Sequence, residues 1–140
     1  MFDTTAFGSI TIEEESSVEY IPVPEDDYMA VIDKYTVDTV NDSVIMKVSC
    51  KIDAPEIEDA HEKVVPYEIW LDITDSGQLD MRKGKNVRLG RLRAAVGQNV
   101  PGEPWSPDMI VGQPLRIKVK NRLDNNTGEI FSKAAACSAI

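Results

Sequence analysis

Four cationic side chains recur at every second position between Pro114 and Asp124, and this spacing is the strongest chemical signal in the chain. The cations are Arg116, Lys118, Lys120 and Arg122, and the apolar residues that alternate with them are Leu115, Ile117, Val119 and Leu123. Successive side chains of a β-strand point to opposite faces, so the pattern predicts a strand with one buried and one cationic face. Guanidinium and ammonium groups bind phosphates and carboxylates. We therefore expect this face to bind either an anionic polymer or acids of the protein itself.

A second basic group precedes this strand. Residues 82–93 contain six cations and no acid, namely Arg82, Lys83, Lys85, Arg88, Arg91 and Arg93. An apolar stripe at helical spacing runs through the same region and consists of Leu89, Leu92 and Val96. The stripe predicts a helix over residues 87–96, with Asn86 as its N-cap and Gly97 at its C-terminal end.

Aromatic side chains can bind the bases of a nucleic acid by stacking. Each base stacked on an aromatic ring contributes about 1–3 kcal/mol to the binding of a single-stranded nucleic acid. The candidates are Trp70, Tyr35, Trp105 and Phe131. Trp70 falls on the polar side of its predicted strand, where the alternative is a rim residue packed under a loop. Trp105 lies in a loop over residues 98–113 that is longer than most connections, and it either anchors that loop or stacks a base.

Together these cations and aromatic rings predict a surface that binds nucleic acid. The phosphate contacts would come from Arg82, Lys83, Lys85, Arg88, Arg91, Arg116, Lys118, Lys120 and Arg122. The alternative is a solvated sheet face whose cations pair across strands with Glu68 and Asp72.

Charge is distributed unevenly along the 140 residues. Residues 1–80 hold 4 Lys and Arg against 20 Asp and Glu, whereas residues 81–140 hold 11 against 4. A chain with a net charge of −9 can therefore still present a basic surface. We expect a single domain over residues 20–140, preceded by an acidic, flexible arm over residues 1–19.

The rest of the sequence predicts a non-catalytic protein of the cytoplasm. Cys50 and Cys137 match no disulfide or metal-binding pattern and are expected to be reduced thiols. No apolar run approaches the roughly 20 residues of a membrane span, so we expect no membrane partner. His61 is the only histidine, and the chain contains no nucleophile motif and no phosphate-binding glycine loop. We expect no enzymatic activity, no metal and no cofactor.

The order of the elements indicates the fold. Strands are predicted over residues 28–37, 44–52, 64–74, 114–124 and 129–140. The single helix falls between the third and fourth strands, and residues 125–128 form a hairpin turn before the fifth. This order is that of the five-stranded Greek-key barrel called the OB-fold, which binds oligonucleotides. A split α+β sheet is the alternative.

Three segments resemble the landmarks of a family of small phage proteins with an OB-like fold. The segments are residues 23–32 (VPEDDYMAVI), 89–97 (LGRLRAAVG) and 110–120 (IVGQPLRIKVK). The resemblance extends over residues 20–135, with Asp26 standing where the family usually has glycine. It implies a protein that is encoded near replication and recombination genes and binds single-stranded DNA.

The sequence therefore predicts a phage-type protein that coats single-stranded DNA in DNA replication or recombination. It would act in the cytoplasm of the host cell, as a monomer or a homo-oligomer, alongside replication or recombination proteins. The alternative is a protein-interaction or virion assembly module, in which the acidic half of one copy docks on the basic half of the next. A third alternative is a mimic whose acidic face occupies a nucleic-acid-binding protein of the host.

Overall fold

The structure is a computed structural model that describes residues 21–140; the arm expected over residues 1–19 lies outside the described residues. In chain order the elements are β1 (Asp27–Val40), β2 (Ser43–Ile52), β3 (Val64–Leu71), α1 (Val87–Ala95), β4 (Pro114–Leu123) and β5 (Ile130–Ser138). A short 3-10 helix, Pro107–Ile110, precedes β4. The prediction of a mainly β fold with one helix between the third and fourth strands is confirmed.

All five strands belong to one antiparallel sheet in the order β3-β2-β1-β4-β5. The central strand, β1, pairs with β2 along most of its length but with β4 only through residues 27–31. Asn41 and Asp42 form the β1–β2 turn with φ angles of 49° and 66°, the left-handed geometry that two-residue hairpins favour.

The edge strands of the sheet are β3 and β5. They approach each other closely enough to make contact, yet no strand ladder joins them within residues 21–140. Across this gap, Lys133 Nζ lies 2.8 Å from Glu68 Oε1. The sheet is therefore open along the β3–β5 line and does not form a continuous hydrogen-bonded barrel.

The buried face of β4 follows the predicted alternation for most of the strand. Leu115, Ile117 and Val119 are buried, and the four cations between and beyond them are exposed. Leu123 was expected on the buried face but is 55% exposed. Asn121, two residues earlier on that face, is already half-buried and polar, so the apolar core ends before the strand does.

The outer face of β2 is not uniformly polar. The two-residue period of a strand assigns Ile45 to the same face as Lys47 and Lys51, but Ile45 is only 2% exposed. In the strand register Ile45 lies between Asp38 of β1 and Trp70 of β3. The outer face of β2 therefore carries an apolar residue, Ile45, beside the large side chain of Trp70 on β3.

Helix α1 closes one side of the core with Leu89 and Leu92, as its apolar stripe predicted. Its end also agrees with the prediction, because Gly97 has a φ of 73°. The N–H of Gly97 donates to Ala94 O and that of Gln98 donates to Arg93 O, the bond pair of a Schellman motif. No helix within residues 21–140 is long and apolar enough to cross a membrane.

Asn86 stands at the start of α1 but does not cap it with its side chain. Its φ of 51° is left-handed, and its amide turns toward the end of β3 instead. Asn86 Oδ1 accepts from the N–H of Asp72, and Nδ2 donates to the carbonyls of Asp72 and Asp80. The backbone N–H of Asn86 donates to Asp72 Oδ2. This buried amide therefore fixes the start of the helix relative to β3.

Candidate nucleic-acid interface

The four cations of β4 open onto two different grooves. Arg116 and Lys118 line a shallow groove with Asp27, which we call the Asp27 groove. Lys120 and Arg122 line a second groove with Trp70, which we call the Trp70 groove. The Trp70 groove is completed by Glu68, Arg88, Lys133, Ala134 and Ala135. One regular strand therefore contributes to two chemically different surfaces.

A bulge in β5 separates the two grooves. Lys118 lies opposite Ala136, but Val119 lies opposite Ala134, so Ala135 is an extra residue in β5. A β-bulge changes the local direction of a strand and increases its twist. The carbonyl of Ala135 accepts a hydrogen bond of 3.0 Å from Arg88 Nη1. Arg88 of α1 is therefore hydrogen-bonded to the bulged residue of β5.

Trp70 presents its ring at the β3 side of the groove. On β3, Tyr67 and Ile69 point inward and are buried, whereas Glu68 and Trp70 take the outward positions. The Trp70 side chain is 55% exposed, which is high for so large an apolar group. A rim residue packed under a loop would be largely covered, so the ring is accessible for stacking.

Arg88 has a bridging position between the two edge strands. Its Nε donates to Glu68 O on β3 at 3.0 Å, while Nη1 reaches Ala135 O on β5. The guanidinium lies 4.1 Å from the centroid of the Tyr67 ring, within the range of a cation–π contact. Arg88 therefore ties β3 to β5 and contributes positive charge to the groove wall.

Phe131 extends the aromatic and cationic surface toward the β4–β5 hairpin. It lies opposite Arg122 in the strand register and is 41% exposed. A further groove joins these two residues to Lys133 and to the hairpin turn at Asn125 and Asn126. The surface from Trp70 to this hairpin therefore offers an aromatic ring at each end and cations between them.

Neither of the two acids expected to neutralise β4 does so. Glu68 pairs with Lys133 of β5, and Asp72 accepts from the backbone of Asn86. In the described part of the chain, no carboxylate lies within 4.0 Å of a charged nitrogen of Arg116, Lys118, Lys120 or Arg122. All four cationic groups of β4 are thus free of ion pairs with residues 21–140.

The basic segment before α1 is divided among several roles. Arg82 forms a bidentate pair with the buried Asp80, with Nη2 2.6 Å from Oδ2 and Nε 2.9 Å from Oδ1. The hydrogen bonds from Arg82 lower the pKa of Asp80 to about 2. Lys83, Lys85 and Arg91 are exposed to solvent. None of these four cations lines the Trp70 groove.

Two of the predicted stacking residues are engaged elsewhere. Trp105 is half-buried, with its Nε1 donating to Gln98 Oε1 at 2.9 Å and its ring 4.8 Å from the guanidinium of Arg93. Tyr35 donates to Asp108 Oδ1 at 2.6 Å, and this hydrogen bond raises the pKa of Tyr35. Trp105 belongs to the loop over residues 98–113, and Tyr35 is hydrogen-bonded to that loop through Asp108. Neither lines the Trp70 groove.

Lys133 is the groove residue that sequence reasoning left out of the candidate site. It faces the same side of β5 as Phe131 and lies opposite Lys120. The signal in the sequence was the two-residue spacing from Phe131, which places both side chains on one face of a strand.

The site is thus a groove between the edge strands of a five-stranded antiparallel sheet, lined by exposed cations and an exposed indole. No protein-family model matches the chain, and no curated protein matches it closely enough to indicate a relationship.

Proposed function

We propose that the protein binds single-stranded DNA in the Trp70 groove. The observation that carries the proposal is the position of Trp70, whose exposed ring shares one groove with Lys120 and Arg122. Binding of single strands combines cations that follow the phosphates with aromatic rings on which bases stack. The groove supplies both chemistries within one surface.

The same groove disfavours a duplex as a ligand. An indole can stack only on a base whose face is exposed, and the bases of a duplex are already stacked on each other. The cations of the groove also lie beside Glu68 rather than along a broad basic face. A flexible single strand can place its phosphates on Lys120 and Arg122 while a base turns toward Trp70.

The strand pairing supports an OB-like barrel as the fold. β1 pairs with both β2 and β4, and β5 lies beside β3, which is the neighbour relationship of the Greek-key barrel. Closure would run along the β3–β5 line, where Arg88 and the Glu68–Lys133 pair already span the gap. In such barrels the face of the second and third strands, together with the loops that join strands 1 and 2 and strands 4 and 5, binds oligonucleotides.

A protein of this kind would coat single strands that are exposed during replication or recombination. Arg88 also lines the groove without an ion pair, but its guanidinium is hydrogen-bonded to the carbonyls of Glu68 and Ala135. The groove cations left to contact phosphates are therefore Lys120 and Arg122, and Lys133 joins them once Glu68 is displaced. For single strands, each neutralised phosphate contributes about 0.7 to the slope of log Kd against log salt concentration. With about three phosphates neutralised, this slope should lie near 2.

The experiment uses the two tryptophans as separate reporters. The Trp105→Phe variant leaves Trp70 as the only indole, and the Trp70→Phe variant leaves Trp105. Titration with oligo(dT) at about 50 mM salt should quench the fluorescence of the first variant and leave that of the second almost unchanged. Absence of binding by the wild type at this salt concentration would refute the proposal. Quenching of Trp105 alone would refute the assigned groove.

A further inference from the structure

The second half of β1 has an open backbone edge. β4 pairs with β1 only through residues 27–31, and two further bonds join Ile32 to Gly112 and Gln113. Asp33 is the extra residue of a bulge, and from Lys34 onward β1 pairs with β2 on one side only. All side chains from residue 33 to 40 are exposed, apart from the half-buried Tyr35. This stretch and β2 form a hairpin that extends beyond the end of β4.

The hairpin register shows which backbone groups face the open edge. Val40 and Ser43 flank a two-residue turn and form a hydrogen-bonded pair, so alternate residues before Val40 also bond to β2. The residues between them direct their N–H and C=O groups away from β2; they are Tyr35, Val37 and Thr39. Within residues 21–140 these groups have no strand partner.

An unpaired strand edge is a template for pairing with another strand. Native proteins blunt such edges with proline, charged side chains, bulges or covering loops. The stretch carries charges at Lys34 and Asp38, and the loop over residues 98–113 meets it at Tyr35, whose hydroxyl donates to Asp108. The free stretch over residues 33–39 contains no proline, and its bulge lies at its beginning, between Ile32 and Lys34. Val37 and Val40 add apolar surface, since they are 49% and 44% exposed.

The side chains along this edge are complementary to themselves. The midpoint of residues 33–39 is Thr36, and antiparallel pairing about it places Lys34 opposite Asp38 on both sides of the axis. The same register places Tyr35 opposite Val37. An opposite-charge pair and an aromatic–β-branched pair are both favourable cross-strand combinations.

Backbone geometry agrees with this register. With the two-fold axis at Thr36, Tyr35 of one copy lies opposite Val37 of the other, and both point their backbone groups at the shared edge. They form the hydrogen-bonded pairs, while Lys34 and Asp38 fall at non-hydrogen-bonded positions, where side chains lie closer together. Shifting the axis to Val37 would place Lys34 opposite Val40 and lose the charge pairing.

We propose that residues 33–39 pair with the same residues of a second copy of this chain, antiparallel about a two-fold axis at Thr36, and extend the sheet across two protomers. This is a closed, self-complementary contact. It does not involve the cations of β4, and it differs from the head-to-tail association of acidic and basic halves. The dimer stands independently of nucleic-acid binding.

The first test is charge exchange at the edge, followed by analytical ultracentrifugation across a protein concentration series. The wild type should dimerise, and Lys34→Asp should weaken the dimer at least tenfold because it faces Asp38 of the other copy. The double change Lys34→Asp with Asp38→Lys should restore dimerisation to within about threefold, since the pair is re-formed in reverse. A wild type that remains monomeric, or a Lys34→Asp variant that dimerises equally well, would overturn the proposal.

The second test fixes the register by cross-linking in a Cys137→Ser background, with Cys50 left buried. Across the axis the two Thr36 Cα atoms would be about 4.5 Å apart, so Thr36→Cys should form an intermolecular disulfide under mild oxidation. Thr39→Cys is the matched control. In this register Thr39 lies opposite Asp33 of the other copy, so the two Thr39 residues are six strand positions, or about 20 Å, apart. Cross-linking of the Thr36 variant alone supports the proposed axis, and cross-linking of the control alone or of neither variant overturns it.

Discussion

The two ends of β4 have the same side-chain chemistry but different surroundings. Arg116 and Lys118 at one end and Lys120 and Arg122 at the other are all exposed and lack ion pairs with residues 21–140. The first pair lines a groove with Asp27 and no aromatic ring, and the second lines a groove with Trp70. A row of cations therefore becomes a candidate binding site only where the fold brings an exposed ring beside it.

The difference arises from elements on either side of the strand. At the first end, β4 lies between β1 and β5 within the regular part of the sheet. At the second end, β1 no longer pairs with β4, the bulge at Ala135 redirects β5, and β3 approaches across the gap that Arg88 bridges. The Trp70 groove therefore depends on contacts between the sheet edges.

The largest predicted effect comes from reversing charges at one end of β4 at a time. The double variant Lys120→Glu with Arg122→Glu should bind oligo(dT) more than about thirtyfold less tightly, since two phosphate contacts become repulsive. The matched variant Arg116→Glu with Lys118→Glu changes the net charge equally and should lose less than about threefold. Fluorescence anisotropy of labelled oligo(dT) measures both.

Equal losses of affinity in the two double variants would contradict the difference expected between the two ends of β4. They would mean that binding follows the net charge of the molecule rather than the Trp70 groove. A larger loss in the Arg116 and Lys118 variant would move the site to the Asp27 groove. Circular dichroism of each variant checks that the exposed substitutions leave the sheet intact.

Removal of the indole should have the next largest effect. Trp70→Ala deletes a stacking platform worth about 1–3 kcal/mol, so affinity for oligo(dT) should fall by roughly tenfold. Trp105→Ala is the matched control, because its ring packs on Arg93 and not in the groove. That control should lower the thermal midpoint and leave the affinity within about twofold. Loss of affinity in the control alone would assign stacking to Trp105.

The salt dependence of oligo(dT) binding should also differ between variants at the two ends of β4. The wild-type slope of log Kd against log salt should lie near 2, at about 0.7 per neutralised phosphate. Because Arg116 and Lys118 lie outside the Trp70 groove, Arg116→Gln with Lys118→Gln should keep this slope. Lys120→Gln with Arg122→Gln should reduce it to below about 1. A wild-type slope above about 4 would indicate that cations beyond the Trp70 groove also contact phosphates.

The alternation of β4 and the limits of α1 could be predicted from the sequence because they follow from local periodicity. Leu115, Ile117 and Val119 obey the two-residue period of a strand, and Gly97 adopts the left-handed geometry that ends a helix. Such signals need no knowledge of the partner strands. The exposure of Leu123 is the exception, since it depends on where the core ends.

The composition of the Trp70 groove could not be predicted in the same way. Trp70 and Lys133 belong to strands that share no ladder within residues 21–140, so no pairing register relates them. Their proximity depends on the curvature of the sheet, on the extra residue Ala135 in β5 and on Arg88, which bridges β3 and β5. A sequence pattern predicts on which face of its own strand each side chain lies. It does not predict the distance between the two edge strands, β3 and β5.

The smallest predicted effect concerns the acid within the Trp70 groove. Glu68 holds Lys133 at 2.8 Å in a partly exposed pair, and exposed pairs contribute little to stability. Glu68→Gln removes this competitor and should tighten binding of oligo(dT) about two- to threefold, because Lys133 becomes available to a phosphate. Asp27→Asn removes one charge from the other groove and should leave the affinity unchanged. If both variants tighten binding equally, a general loss of repulsion explains the gain, and Lys133 does not contact the nucleic acid.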